Sequence, residues 1–362
     1  MDLRPTEEQQ AIIEAVRDLA INEIRPNARE YEEDGRAPER IEKQLFEMGI
    51  STPIPENFGG QGVFDALTSV MIAEELAFGD PGVAFSVLWA GAAATLVDIA
   101  CSDSERAELL PQLAEGARAY VALAERDAGA DITQLELSAN AEGTLTGRKY
   151  AVVNADLSAI RLVAASGPTL WLLDADAEPS ARPEDKMGLR SARTFKVDYD
   201  GASATKLGRD AEAVRIALLR IKLLNAGIAL GLSRAALEYA TQYAKERTAF
   251  GRPIGAFQGI SFKIADRAMD LETARLITLK AAWAVDNLRP EADRLVMAAC
   301  GHAAAAAVAN ADDGVQILGG HGYMRDHPEE MWYRDALTLA TFESASMVGD
   351  VYLSAAYQPA SR

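Results

Sequence analysis

Only two cysteines, Cys101 and Cys300, and three histidines occur in the 362 residues of this chain. The cysteines lie far apart, with no second cysteine or histidine at ligand spacing, which excludes a disulfide framework and a zinc site. No serine or cysteine has partners spaced for a nucleophilic triad, and neither a P-loop nor a Gly-x-Gly-x-x-Gly turn is present. No uncharged apolar run reaches the roughly 18 to 20 residues of a membrane helix. The first twenty residues carry Asp2, Glu7, Glu8, Glu14 and Asp18, so neither secretion nor membrane insertion is expected. Positive charge is also scarce: 36 Lys and Arg stand against 54 Asp and Glu, a net charge of −18. Such a surface repels a phosphate backbone over most of its area, so nucleic acid is excluded as a general partner and anionic ligands must be met by local cations. The near absence of cysteine suits a reducing, cytoplasmic compartment.

What is present is an ordinary globular composition, 49% apolar, in a chain long enough for two or three domains. Residues 1–117 read as helical. Thr6 with Gln9 forms a capping-box pattern before an apolar periodic run, Pro26 is placed to kink or split the next helical segment, and Pro38 and Gly49 bracket another helix. Further helical runs fall near 65–79, 82–100 and 103–115. The texture changes over 118–210, where short alternating or β-branched runs near 120–123, 145–153, 161–165, 169–173 and 194–199 are separated by turn residues. From 211 to 362 the helical period returns in four long segments, near 211–247, 257–288, 292–318 and 329–356, broken at 251–255 and 289–290. Long helices with short connections predict a four-helix bundle. The fold class read from this order is α+β, mainly α, with a barrel-like β domain between two helical ones.

Two segments carry the chemistry. One is Glu246-Arg247-Thr248-Ala249-Phe250-Gly251, with Gln258 after it. The other is Gln316-Ile317-Leu318-Gly319-Gly320-His321-Gly322-Tyr323, with Arg334-Asp335 and Phe342-Glu343 beyond. Together with Thr6-Glu7-Glu8-Gln9-Gln10 and Ile54-Pro55-Glu56-Asn57-Phe58-Gly59-Gly60, they resemble the acyl-CoA dehydrogenase family over nearly the whole chain. The resemblance implies a flavin-dependent α,β-dehydrogenation of an acyl-CoA thioester, with electrons passed on to an electron-transfer flavoprotein, and a tetramer. In the family the base commonly lies eight residues after the Arg-Asp pair, which places Glu343 there. An alternative base position on an earlier helix falls here on Leu219-Arg220-Ile221-Lys222, which has no carboxylate.

The same resemblance assigns Arg247, Phe250, Gln258, Gln316, Gly319 and Gly320 to the ADP half of FAD, bound across a subunit boundary. An arginine fork suits pyrophosphate, and glycines allow close backbone approach. A helix C-cap for Gly319-Gly320 and a surface ion pair for Arg247 are the competing readings. On the ring side the family pattern Thr-Glu-Pro-x-Ala-Gly-Ser-Asp is replaced by Ala124-Glu125-Arg126-Asp127-Ala128-Gly129-Ala130-Asp131, and Trp-Ile-Thr-Asn by Ala151-Val152-Val153-Asn154. Leu123, Ala124 and Val153 therefore stand at flavin positions without the expected hydroxyls or tryptophan. Ala130, Lys222 and Ser344 fall at substrate-side positions. Each lost hydrogen bond is worth about 0.5–1.5 kcal/mol, so several together weaken flavin binding from this side. Retained cross-subunit contacts with eroded local ones match a specialised subunit of a mixed oligomer, as in two-gene dehydrogenases of the steroid side-chain type. Ordinary drift within an active homotetramer is the competing account. The three histidines, His302, His321 and His327, are assigned no catalysis.

Overall fold

The structure is a computed structural model that describes residues 3–126, 132 and 134–343. Six helices come first: α1 (Glu7–Leu19), α2 (Ala28–Asp34), α3 (Glu39–Glu47), α4 (Ala66–Gly79), α5 (Pro81–Ala100) and α6 (Asp103–Ala114). Local chemistry sets their ends. The Thr6 hydroxyl accepts the Gln9 amide while the Gln9 side chain accepts the Thr6 amide, so two orphan donors of the first turn are satisfied reciprocally. Asp80 caps α5 through the Val83 amide at 2.6 Å. Between α1 and α2 the chain widens into one π-turn over Ala20–Ile24 and tightens into a 3-10 turn over Arg25–Asn27, which is the irregularity that Pro26 imposes.

Seven strands form the middle unit: β1 (Ala119–Ala122), β2 (Ser138–Ala139), β3 (Thr144–Val153), β4 (Ile160–Ala165), β5 (Thr169–Leu173), β6 (Ser180–Pro183) and β7 (Thr194–Leu207). The strand order is β1-β4-β5-β7-β3-β2, with β6 also on β7. β1 and β4 run parallel, while the other pairs are antiparallel. The sheet curls far enough that the Tyr150 amide of β3 donates to Ala124 O, just past β1, at 3.0 Å. One face encloses Tyr120, Val152, Val163, Phe195, Val197 and Tyr199. The other face, with Val121, Leu123, Val153, Leu162 and Ala164, joins the main helical core.

The last unit holds α7 (Ala211–Glu246), a short hairpin of β8 (Thr248–Ala249) and β9 (Arg252–Pro253), then α8 (Gln258–Asp286), α9 (Ala292–Leu318) and α10 (Glu329–Glu343). α7 packs on α4, α8, α9 and α10, and α9 packs in turn on α8 and α10, with alanines at 298, 299, 303, 304, 306 and 307 buried on α9. Small side chains there let helix axes come close. The helix, strand, helix order and the mainly helical class match the sequence expectation.

The expectation about membrane helices needs correction on length and composition. Pro81–Ala100, Ala211–Glu246 and Ala292–Tyr323 are each long and apolar enough to cross a membrane once two or fewer charges are allowed. Their apolar windows are 78%, 83% and 67% buried inside the fold, so that composition serves the core.

Candidate active site

The helical signature converges at one end of the bundle. Ala240 and Ala244 of α7 pack with Ile317 and Leu318 of α9, and Ile254, Ile260 and Ile264 cover them. This small core sets the ends of α7 and α9 and the start of α8 side by side, with Arg247, Gln258, Gln316 and Gly320 exposed around it. Arg247 pairs with no carboxylate among the described residues, which removes the surface ion pair as its explanation. Its amide donates to Tyr243 O at 2.8 Å and its carbonyl accepts from Ile254, so the backbone is fixed and the guanidinium is open.

Gly319 does serve as the C-cap of α9, at φ +60°, so that part of the plainer reading holds. Nothing lies within 4 Å of where a Cβ would stand at Gly319, Gly320 or Gly259. Packing therefore does not require those glycines, and the space they leave open fits a close-lying phosphate group. The first turn of α8 has no side-chain cap, which leaves amide donors for the same anion. Phe250 and Gly251 form the two-residue tip of the β8–β9 hairpin, both at positive φ, +53° and +80°. The Phe250 ring is 96% exposed and meets Phe257 edge-on at 6.2 Å. A bulky residue in that conformation is unfavourable, and an exposed aromatic there suits contact with something outside the chain.

The ring-side residues are elsewhere. Leu123 and Val153 are 5% and 2% exposed and belong to the main core, while Ala124 is half-buried. Their backbone is strongly held. Lys149 Nζ donates to Leu123 O at 3.0 Å and to Glu125 Oε1 at 2.6 Å, and the Glu125 carboxylate accepts the Glu136 and Leu137 amides at 2.6 and 3.0 Å. Burial pushes the Lys149 ammonium down to about 8, and Glu125 opposes the shift. A bulge between Lys149 and Val152 turns Ala151 to φ +53°, where its amide donates to Glu184 Oε2 at 3.2 Å. The wall on which a flavin ring is expected is thus kept rigid without the side chains expected to touch it.

α5 packs on β1 and β3 and is tied to α7 where Trp89 Nε1 donates to Asn225 Oδ1 at 2.6 Å. From Asn225 to Arg247 is 22 residues of α7, about 33 Å along the axis.

Lys222 is fully buried on α7, three residues before Asn225. Glu343 is the last residue of α10; side chains are described only to Thr341, and Ala130 and Ser344 lie outside the described residues. α10 itself is fixed by Arg334, which bonds Glu32 Oε1 at 2.5 Å and Glu330 Oε2 at 2.8 Å, and by Asp335, which accepts the Leu189 amide at 2.5 Å. Burial, and then the nearby charge of Asp80, push the Asp335 carboxyl well above its usual range. Asp80 and Glu329 are buried acids that motif reading does not single out, and Asp335 enters it only as part of the Arg-Asp pair, because tertiary packing alone makes the three carboxyls unusual. Among the described residues no group of side chains could hold a metal.

Profiles of the acyl-CoA dehydrogenase N-terminal and C-terminal domains match residues 6–117 and 212–347. An acyl-CoA dehydrogenase of Bacillus subtilis is 31% identical over 372 residues, covering 96% of this chain and 97% of the relative. The chain belongs to the acyl-CoA dehydrogenase family. Among solved structures, butyryl-CoA dehydrogenase from Megasphaera elsdenii is similar with a TM-score of 0.85 and 27% identity, covering 98% of this chain and 99% of that one. A chain from the study of the electron transferring flavoprotein of Acidaminococcus fermentans is similar with a TM-score of 0.86 and 26% identity, covering 99% and 100%. As a member of this family the chain is an oxidoreductase.

Proposed function

We propose that this acyl-CoA dehydrogenase uses FAD to introduce an α,β double bond into an acyl-CoA thioester, in a cytoplasmic setting, as part of an oligomer that passes electrons to an electron-transfer flavoprotein. The observation that carries the reading is the exposed end of the bundle, where Arg247, Gln258, Gln316, Gly319 and Gly320 gather with space left for phosphate. When bound, FAD supplies the acceptor for the β hydrogen. Glu343 takes the α proton; a carboxylate suits that role once apolar surroundings raise its pKa. Lys222, enclosed on α7, supplies positive charge on the substrate side, without the planar fork of an arginine. The butyryl-CoA neighbour favours a short acyl group. Glu343→Gln should abolish dehydrogenation while bound flavin is retained; turnover by that variant would remove Glu343 as the base.

A second reading has its own support. Leu123 and Val153 are buried, and neither they nor Ala124 carry a hydroxyl, so the local wall offers little to a flavin ring. This chain would then complete a flavin site built mainly by a paralogous partner. Incubation of the purified chain with excess FAD, followed by desalting and a visible spectrum, separates the two. Near one flavin per chain supports the self-sufficient enzyme, and near zero supports the mixed oligomer.

A further inference from the structure

A cleft of about 560 Å³ opens between the turn after α2 and the segment 183–194. Four cations line it, Arg36, Lys186, Arg190 and Arg193, in a chain whose net charge is −18. Arg193 is taken up by Asp156 at 2.6 Å. Arg36 and Arg190 pair with no carboxylate among the described residues. Of the acids in the cleft, Glu184 accepts the Ala151 amide at 3.2 Å, and Asp34 and Asp185 form no ion pair with the four cations. Burial pushes Lys186 down to about 8; Glu184 and Asp335 oppose this, and the charge of Arg190 adds to it. With Asp34, Glu184 and Asp185 also lining it, the cleft sets four cations against three carboxylates, the reverse of the balance over the whole chain.

The cations are also pre-positioned. The arch from Lys186 to Arg193 is pinned from beneath by three bonds: the Gly188 amide to Thr338 Oγ1 at 2.9 Å, the Leu189 amide to Asp335 Oδ1 at 2.5 Å, and the Ser191 hydroxyl to Asp80 Oδ1 at 2.6 Å. A Cβ at Gly188 would lie 2.2 Å from Arg334 O, so the arch rests directly on α10. Leu189 is held at φ +50°, a strained conformation that persists only where its surroundings over-determine it. Within the arch, Lys186 Nζ donates to Ala192 O at 2.6 Å. At its far end Thr194 is 2% exposed, lines the cleft, and has a hydroxyl with no partner. An unused donor at Thr194, the unpaired guanidinium of Arg190 on the clamped arch and that of Arg36 on the turn after α2 together make a receptor for a compact dianion.

We propose that this cleft binds a phosphate dianion, held by Arg36, Lys186 and Arg190. The phosphate is either free or part of a larger ligand such as the 3′-phosphate of coenzyme A. The site is separate from the Arg247 end of the bundle. The test is calorimetric titration of the full-length protein, saturated with FAD, using inorganic phosphate and pyrophosphate. Wild-type protein should bind saturably, and Arg36→Ser/Arg190→Ser should bind at least about tenfold more weakly. Both replaced arginines are exposed, so melting temperatures should stay close to wild type, which checks folding. Coenzyme A and dephospho-coenzyme A are titrated alongside. A loss in the double variant confined to coenzyme A identifies its 3′-phosphate as the occupant, while equal affinities with lost phosphate binding identify free phosphate. Absence of saturable phosphate binding, or wild-type affinity in the double variant, overturns the proposal.

Discussion

Glu329 shows how much a single side chain can depend on its surroundings. It opens α10 fully buried, with neither carboxylate oxygen partnered, pressed so closely to α9 that a Cβ at Gly314 would lie 2.3 Å from Glu329 Oε2. Burial pushes its carboxyl well above the ordinary 4.5, and Arg25 only partly opposes this. The folded chain therefore keeps a proton that the unfolded chain releases as pH rises past about 4.5. Its contribution to stability is fullest below that pH and falls as pH climbs toward the raised folded value. Glu329→Gln should unfold at a higher temperature than wild type at neutral pH, with the gap closing near pH 4. Melting curves across that range check it, and a gap independent of pH would contradict the account.

Elements are joined by a ladder of charges as well as by apolar faces. Arg17 of α1 and Arg234 of α7 both bond Glu75 of α4, at 2.7 and 2.6 Å, and Arg275 of α8 bonds Glu74 at 2.5 Å. Although burial pushes Glu75 up, Arg234 and Arg17 hold it below its ordinary value. Removing one member of a buried pair leaves an uncompensated charge, which costs about 3–5 kcal/mol. Arg234→Met should lower stability by about that amount in denaturant melts, and more than Arg17→Met, because Arg17 is the more exposed partner.

At this scale the sequence was legible wherever the signal was local. The capping box at Thr6, the helix after Pro38, the long helices α7, α8 and α9 and the start of the helix at 329 all arise from short-range chemistry, while the part of that last helix expected over 344–356 lies outside the described residues. The strand ending near Tyr199 runs on to Leu207 instead, because Asp200 and Gly201, at φ +75°, form an irregularity inside the β3–β7 ladder and not a turn. The β8–β9 hairpin reads only as a break, since two-residue strands carry no periodicity.

For the whole molecule, the residues that the family resemblance assigns to the ADP half of FAD stand in short contiguous motifs near helix ends and a hairpin tip, which is why a sequence can display them. The basic cleft could not. Arg36 and Arg190 are 154 positions apart, and only the clamps from Asp80, Asp335 and Thr338 bring them together. The assignment of the ring-side residues to the β domain and of the ADP-side residues to the end of the bundle leads to a test at the same scale. Arg247→Ala should lose one charge-assisted contact of about 1.5–3 kcal/mol, which is roughly tenfold or more in FAD affinity. In a mixed complex with a partner that builds the ring side, that loss should appear only in the complex; unchanged FAD content there would count against the shared site.

The hairpin tip at Phe250 has a consequence for how the protein is handled. A ring held outward at a disfavoured backbone angle, meeting Phe257 at one edge, would gain further contacts if a second copy or a paralogue docked there. If the cofactor site is shared in this way, association and cofactor retention are linked by mass action. Dilution should then release flavin even when each subunit stays folded, so the bound fraction would depend on protein concentration as well as on FAD.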